Sequence, residues 1–293
     1  MLQILDSLCK DMTTLIDSSP LERFQSLPSQ RKRDGYGKMM SGYFMFLLAA
    51  VVVARLFSDG DFSGIYTLGM AVQCLAFYML YAKVNMQRSV AGVSAKTLEV
   101  YVLVFSFRLS STLLRNGYLP MDYSGDFVFQ ISDILSLAMT ITLLKCVRTT
   151  HKATYQLEHD SLEIARAIPL CIILAIFVHG QLNRSPFFDT MWTISMNLDT
   201  IAMLPQLWML SKIGGEVEGM TSHFVALLAL SRFCAFTFWF YGYVELQRAG
   251  DVIAGFQLIG AHSLQVLLSL DFLYYYLSAR MKGNEMKLPS MDI

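Results

Sequence analysis

Thr97-Leu-Glu-Val-Tyr-Val-Leu-Val-Phe-Ser-Phe-Arg108 and Thr221-Ser-His-Phe-Val-Ala-Leu-Leu-Ala-Leu-Ser-Arg232 are the two stretches that decide the fold of this chain. Each is an apolar run that ends on an arginine, eleven residues after a threonine. A charged side chain at membrane depth is costly, so it faces a polar cavity or a partner rather than lipid. The same spacing twice predicts two copies of a helical unit around an internal anionic site. The other reading of the match is coincidence between two apolar helices.

Composition agrees with a membrane location. The 293 residues are 54% hydrophobic and 16% charged, where a soluble domain carries about 25% charged residues. Mean hydropathy is +0.45. Formal net charge is zero, so bulk charge points neither to nucleic acid nor to an acidic partner. A hydrocarbon core needs about 20 mostly apolar helical residues. Eight runs meet or approach that length: 39–57, 64–84, 98–114, 127–147, 164–180, 187–210, 223–243 and 252–279. The third and fifth are short. The turns between runs carry Gly, Pro, Asn or Asp, as in Ser58-Asp-Gly-Asp61 and Asn116-Gly-Tyr-Leu-Pro120. The predicted fold class is therefore an all-α membrane protein of about eight transmembrane helices, forming one domain behind a polar arm, residues 1–38.

Lysine and arginine set the orientation. With a cytosolic N-terminus, sixteen fall on the cytosolic side: Lys10, Arg23, Arg31, Lys32, Arg33, Lys38, Lys83, Arg88, Lys96, Lys145, Arg148, Lys152, Lys212, Arg280, Lys282 and Lys287. Four fall opposite: Arg55, Arg115, Arg184 and Arg248. Arg108, Arg166 and Arg232 lie at or within spans. The positive-inside rule favours this topology, with both termini cytosolic. Residues 1–38 lack the apolar core and small-residue site of a signal peptide. Their Leu2, Leu5, Leu8, Met12, Leu15 and Ile16 recur at helical spacing. They form either an interfacial or partner-docking helix or one that packs on its own domain. The sequon Asn183-Arg-Ser185 falls on the far side, but Pro186 and two nearby span ends argue against glycosylation.

No Gly-rich phosphate loop, paired-cysteine spacing or His-Glu-x-x-His is present, and no nucleophile–base set is visible. Neither an enzyme nor a metal or other cofactor is expected. Cys9, Cys74, Cys146, Cys171 and Cys234 read as thiols rather than a disulfide framework. His179, His223 and His262 are candidates for titration, with no metal spacing among them.

Superposing Thr97 on Thr221 also matches span 64–84 with 187–210, and 127–147 with 252–279. Span 164–180 is left between. One connecting helix makes the two three-helix copies parallel, and such repeats place a site at their interface near the midplane.

Shorter words narrow the assignment. Arg88-Ser-Val-Ala-Gly-Val-Ser-Ala-Lys-Thr97 follows the second span, and Lys152-Ala-Thr-Tyr155 with His159-Asp160 follows the fourth. The sixth reads Trp192-Thr-Ile-Ser-Met-Asn-Leu-Asp-Thr-Ile-Ala-Met-Leu-Pro-Gln-Leu-Trp-Met-Leu-Ser-Lys212. Asp271-Phe-Leu-Tyr-Tyr-Tyr276 and Leu288-Pro-Ser290 close the chain. Over about residues 64–290 this resembles the KDEL receptor family, the endoplasmic reticulum lumenal-protein retention receptors. Residues 1–57 are extra, as in a divergent related branch with an added N-terminal helix.

The resemblance implies seven helices in two repeats plus a linker, similar to the SWEET and PQ-loop transporters. It divides the chain into the arm 1–38, an added helix 39–57, a receptor-like domain 64–281 and a cytosolic tail 282–293. It implies retrieval of lumenal proteins from Golgi to endoplasmic reticulum through their C-terminal signals, in a multi-pass protein of those two membranes. Its partners would be those peptide signals, a vesicle coat at the cytosolic loops and tail, and membrane lipid. Small-solute transport on the same scaffold is the alternative, and an adaptor whose arm recruits a cytosolic partner is a third reading. Fold alone does not choose.

By position, the resemblance assigns ligand contact to Arg108, Asp189, Trp192, Arg232 and Trp239. Asp199 and Asp271 become structural or proton-linked acids. Departures accompany the matches. The family's first-helix arginine falls on Tyr66 and its sensor histidine on Gln73. Its Tyr and Asp after the first-repeat arginine fall on Leu109 and Ser111. Its later arginine and tyrosine fall on Gly242 and Ala235. The tail keeps Lys282 and Lys287 without an adjacent lysine pair. Each retained residue also has a plainer role. Arg108 and Arg232 can pair with Asp133, Asp199 or Asp271 and hold the bundle. Trp192 can be an interfacial belt residue. Pro205-Gln206 marks a helix bend, of use in rearrangement or simply a proline kink.

Overall fold

Among the described residues, four helices are long and apolar enough to cross a membrane. The structure is a computed structural model and describes residues 41–44, 46, 64–115, 126–180, 185–248, 252–282 and 285–289. The arm 1–38, the sequon asparagine and most of the predicted first span lie outside these, although 41–44 and 46 are helical. The helices are α1 (Gly64–Gln87), α2 (Ala95–Thr112), α3 (Asp126–Lys145), α4 (Ala167–Phe177), α5 (Pro186–Ala202), α6 (Leu204–Ile213), α7 (Gly219–Arg248) and α8 (Val252–Met281).

Local chemistry sets the boundaries. Ser94 caps α2 by accepting from the Thr97 N–H, which satisfies one of the orphan donors of a first turn. Helix α2 is less apolar than those four because it carries Lys96, Glu99 and Arg108. The sixth predicted span is broken at Met203, and Pro205 sits in the first turn of α6. Proline has no N–H to continue the ladder, so the bend falls there. The fifth span is shorter than expected: a 3₁₀ turn, Ile164–Arg166, leads into an α4 of 11 residues.

The packing follows a two-fold pattern. Helix α1 packs on α7 and α2 packs on α5. Helix α3 packs on α1 and α2, while α8 packs on α7 and, less extensively, on α5. Exchanging α1–α2–α3 for α5/α6–α7–α8 maps these contacts onto one another. The parallel duplication predicted from two arginines is therefore present in three dimensions, with α4 linking the copies against α5.

The family-like words converge at one end of the bundle. The Val90 N–H donates to Thr154 Oγ1 at 2.9 Å, and the Gly92 N–H to Gln156 Oε1 at 2.9 Å. Ser94 Oγ donates to Asp160 at 2.9 Å. Gln206 receives the Ser94 N–H at 3.0 Å and donates to the Gly92 carbonyl at 2.8 Å. The Tyr155 hydroxyl donates to Asp160 at 2.6 Å; partial burial and that carboxylate push the phenol above its ordinary pKa, keeping it a donor. A two-residue antiparallel ladder, β1 (Gly215–Glu216) with β2 (Lys287–Leu288), ties down the tail. By the charge bias this is the end expected to face the cytosol.

Lys83, which the sequence reading counts among cytosolic charges, is fully buried at that end. Its ammonium donates to the Ala91 carbonyl at 2.6 Å and Thr221 Oγ1 at 2.8 Å, with Glu218 4.0 Å away. Glu218 in turn accepts from the Met220 and Thr221 N–H groups and caps α7. Cys74, Cys146, Cys171 and Cys234 are free thiols.

Candidate functional site

The two arginines meet between the repeats in one buried cluster. Arg108 is 4% exposed and Arg232 2%. Arg108 grips Asp133 on α3 side-on, with Nε and Nη2 each 2.7 Å from a carboxylate oxygen. Its Nη2 also donates to Gln73 Oε1 on α1 at 2.8 Å. Arg232 donates to Asp199 on α5 at 2.6 Å and to the Tyr101 hydroxyl on α2 at 3.0 Å. Asp199 lies between the two, its other oxygen 3.9 Å from Arg108 Nη1. Two guanidinium groups and two carboxylates, with Gln73 and Tyr101, thus close a formally neutral network across five interhelical contacts. Charge-assisted and bidentate bonds of this kind are the strong ones, and they relieve the cost of burying each ion alone.

The repeat register shows how the halves diverged. Moving from Arg108 to its counterpart Arg232 moves Gln73 onto Asn197 and Asp133 onto Gln257. Gln257 Nε2 donates to Asn197 Oδ1 at 3.0 Å, and Asn197 Nδ2 to the Cys171 carbonyl at 3.1 Å. The second copy thus keeps a polar trio of the same register. The acid that serves its arginine comes instead from Asp199.

Beside the arginines lies an aromatic cluster. The Tyr66 ring is 5.6 Å from Phe129, 5.0 Å from Phe238 and 6.0 Å from Trp239, centroid to centroid. Phe129 stacks on Trp192 at 6.2 Å and lies 5.8 Å from the Arg108 guanidinium carbon. Trp239 stacks on His262 at 6.5 Å, and His262 Nδ1 meets Gln265 Oε1 at 3.1 Å. Trp192 and Trp239 are both buried here rather than set in an interfacial belt.

The remaining expected residues separate. Asp189 is fully buried in the first turn of α5, where the helix dipole favours a negative charge. Asp271 is exposed on α8, and the ion pairs of the two arginines go to Asp133 and Asp199 instead. Gln73, where the resemblance puts a histidine, is an acceptor for Arg108. Gly242, where it puts an arginine, lies against Trp239. The Tyr101 hydroxyl went unnoticed in the sequence because a tyrosine in an apolar run reads as core. Among the described residues no group of three His, Cys, Asp or Glu gathers to hold a metal ion.

Fold and site define a helical membrane protein of two parallel three-helix repeats joined through a buried arginine–aspartate centre. The sequence profile described as ER lumen protein retaining receptor matches residues 89–242. An ER lumen protein-retaining receptor of Dictyostelium discoideum is 30% identical over 227 residues, covering 76% of this chain and 97% of that protein. Its namesake in Saccharomyces cerevisiae is 30% identical over 224 residues, with 76% and 97% coverage. That of Drosophila melanogaster is 29% identical over 215 residues, with 73% and 93% coverage. The chain belongs to the ER lumen protein retaining receptor family, a family of receptors.

Proposed function

We propose that this protein is a retrieval receptor of the KDEL receptor type. It binds C-terminal retention signals of lumenal proteins at the repeat interface and returns them from the Golgi to the endoplasmic reticulum. The observation that carries this reading is a pair of arginines, one from each repeat, buried together in a chain of this family. The relatives reported above are named as receptors, which favours this reading over solute transport on the same scaffold.

In the proposed site, Arg108 and Arg232 face the signal's anionic end. Asp189 and Trp192 hold a cationic residue further from its C-terminus, and Trp239 packs along it. Asp199 links the two arginines, and Asp271 is assigned a structural or proton-linked role on α8. Residues 64–281 form the receptor domain, behind the arm 1–38 and the added helix 39–57. The loops around Gly92 and Asp160, with the tail 282–293, are the surface offered to a vesicle coat, and the bundle's exterior meets lipid. The protein resides in the endoplasmic reticulum and Golgi membranes.

The test is direct. Purified protein is titrated with a panel of C-terminal tetrapeptides at acidic and neutral pH. Saturable binding that needs a free C-terminal carboxylate supports the reading. Binding of none of the panel, together with solute uptake into proteoliposomes, would sink it.

A further inference from the structure

Asp133 is a buried carboxylate that the reading above does not use. It is 1% exposed and takes Arg108 through two bonds of 2.7 Å. With Gln73 at 2.8 Å and Asp199 at 3.9 Å, Arg108 faces acceptors from three different helices. The arrangement belongs to the first repeat alone. At the matching register of the second repeat stands Gln257, which bonds Asn197 and leaves Arg232 to Asp199.

We propose that Asp133 is a specificity-determining residue that holds Arg108 as an internal counter-ligand. The site then takes a C-terminal peptide whose residues next to the terminal one carry uncharged amide side chains, and it discriminates against acidic ones. The inference rests on the receptor reading and names the ligand class of that same site. A side-chain carboxylate arriving beside the terminal one has two ways to reach Arg108. It displaces Asp133, which strands a buried anion without its counter-ion. Otherwise it approaches alongside, which crowds two anions around one guanidinium. An amide avoids both, because its carbonyl accepts from arginine while its NH₂ donates to aspartate. The Gln73 carbonyl already plays the accepting half of that role from within the protein.

The experiment uses the full chain purified in detergent, titrated calorimetrically with acetyl-Lys-Asp-Glu-Leu and acetyl-Lys-Asn-Gln-Leu, each with a free C-terminus. The wild type is expected to bind the amide peptide at least about tenfold more tightly, a difference of about 1.4 kcal/mol. Asp133→Asn, which removes the competing charge but keeps an acceptor for Arg108, is expected to reverse the order. A merely structural Asp133 would change yield or stability without reversing the preference. Equal or tighter binding of the acidic peptide by the wild type overturns the inference even if the variant does not fold. A folded variant that keeps the wild-type preference overturns it too. If neither peptide binds wild type or variant while both elute as monodisperse protein, this inference is overturned, and the tetrapeptide panel with solute uptake decides separately whether the receptor reading falls with it.

Discussion

Asp199 serves two arginines from different repeats, 2.6 Å from Arg232 and 3.9 Å from Arg108, so its loss unbalances both. Removing one partner of a buried pair costs about 3–5 kcal/mol, because the other charge stays buried. Asp199→Asn is accordingly expected to lower stability by about that amount, read as a drop in thermal midpoint in detergent. Adding Arg232→Gln should recover much of the loss, since it removes the stranded charge. Losses that simply add across the two changes would contradict the network. At this scale the sequence was half legible. An arginine inside an apolar run announces itself, and Asp133 and Asp199 were visible as candidate partners. Which acid meets which arginine was not visible, because α1, α2, α3 and α5 must first be brought together. Lys83 misled for the same reason: near a span end it reads as a loop charge, and only packing against Thr221 and the Ala91 carbonyl shows it to be internal.

At the scale of helices, the crossing of α1 on α7 depends on Gly69. A Cβ there would lie 3.1 Å from Cys234 Cβ and 3.3 Å from the Ser231 carbonyl oxygen. Small residues let helix backbones approach where lipid supplies no hydrophobic drive to associate. Gly69→Leu is expected to push the helices apart at a cost of about 1–3 kcal/mol, seen as reduced monodisperse yield. Gly260→Leu is the control: nothing lies within 4 Å of its added carbon, so yield should not change. Similar losses at both positions would remove the close crossing from the argument. Gln206 offers a second test at this scale. It satisfies the Ser94 N–H and the Gly92 carbonyl, and each buried group left unpaired costs about 1–3 kcal/mol. Gln206→Ala should therefore destabilise the chain, and Gln206→Glu, which keeps the acceptor but buries a carboxylate against the Gly92 carbonyl, should destabilise it at least as much. A thermal series of the three proteins checks that order. The sequence placed the bend at Pro205 correctly from proline chemistry. It could not show that the neighbouring glutamine stitches α6 to the turn before α2, because that contact joins residues 112 positions apart.

For the whole molecule, the two-fold exchange of contacts and the charge bias make one joint statement about sidedness. The turns around Gly92, Asp160 and Glu218, with the β1–β2 ladder, gather at one end of the bundle. Arg115, after the last turn of α2, belongs to the other. The repeat was readable because an intramembrane charge is rare enough for its spacing to carry information. The parallel sense of the copies then followed from counting one helix between them. Sidedness itself rests on lysines and arginines collecting on the cytosolic face. The chain is therefore expected to cross eight times, with residue 1 and residue 293 on the same side. With the five native cysteines replaced, Glu158→Cys in sealed microsomes should react with a membrane-impermeant maleimide, since Glu158 is exposed at the clustered end. Arg115→Cys, exposed at the opposite end, should react only after the membrane is permeabilised. Tags at Met1 and Ile293 should both be cleaved by added protease in the same vesicles. Protection of the Met1 tag alone would mean an odd number of crossings, and the added first span would have to be withdrawn. Labelling of both cysteines in sealed vesicles would go further and undo the assignment of the family-like turns to the cytosolic face.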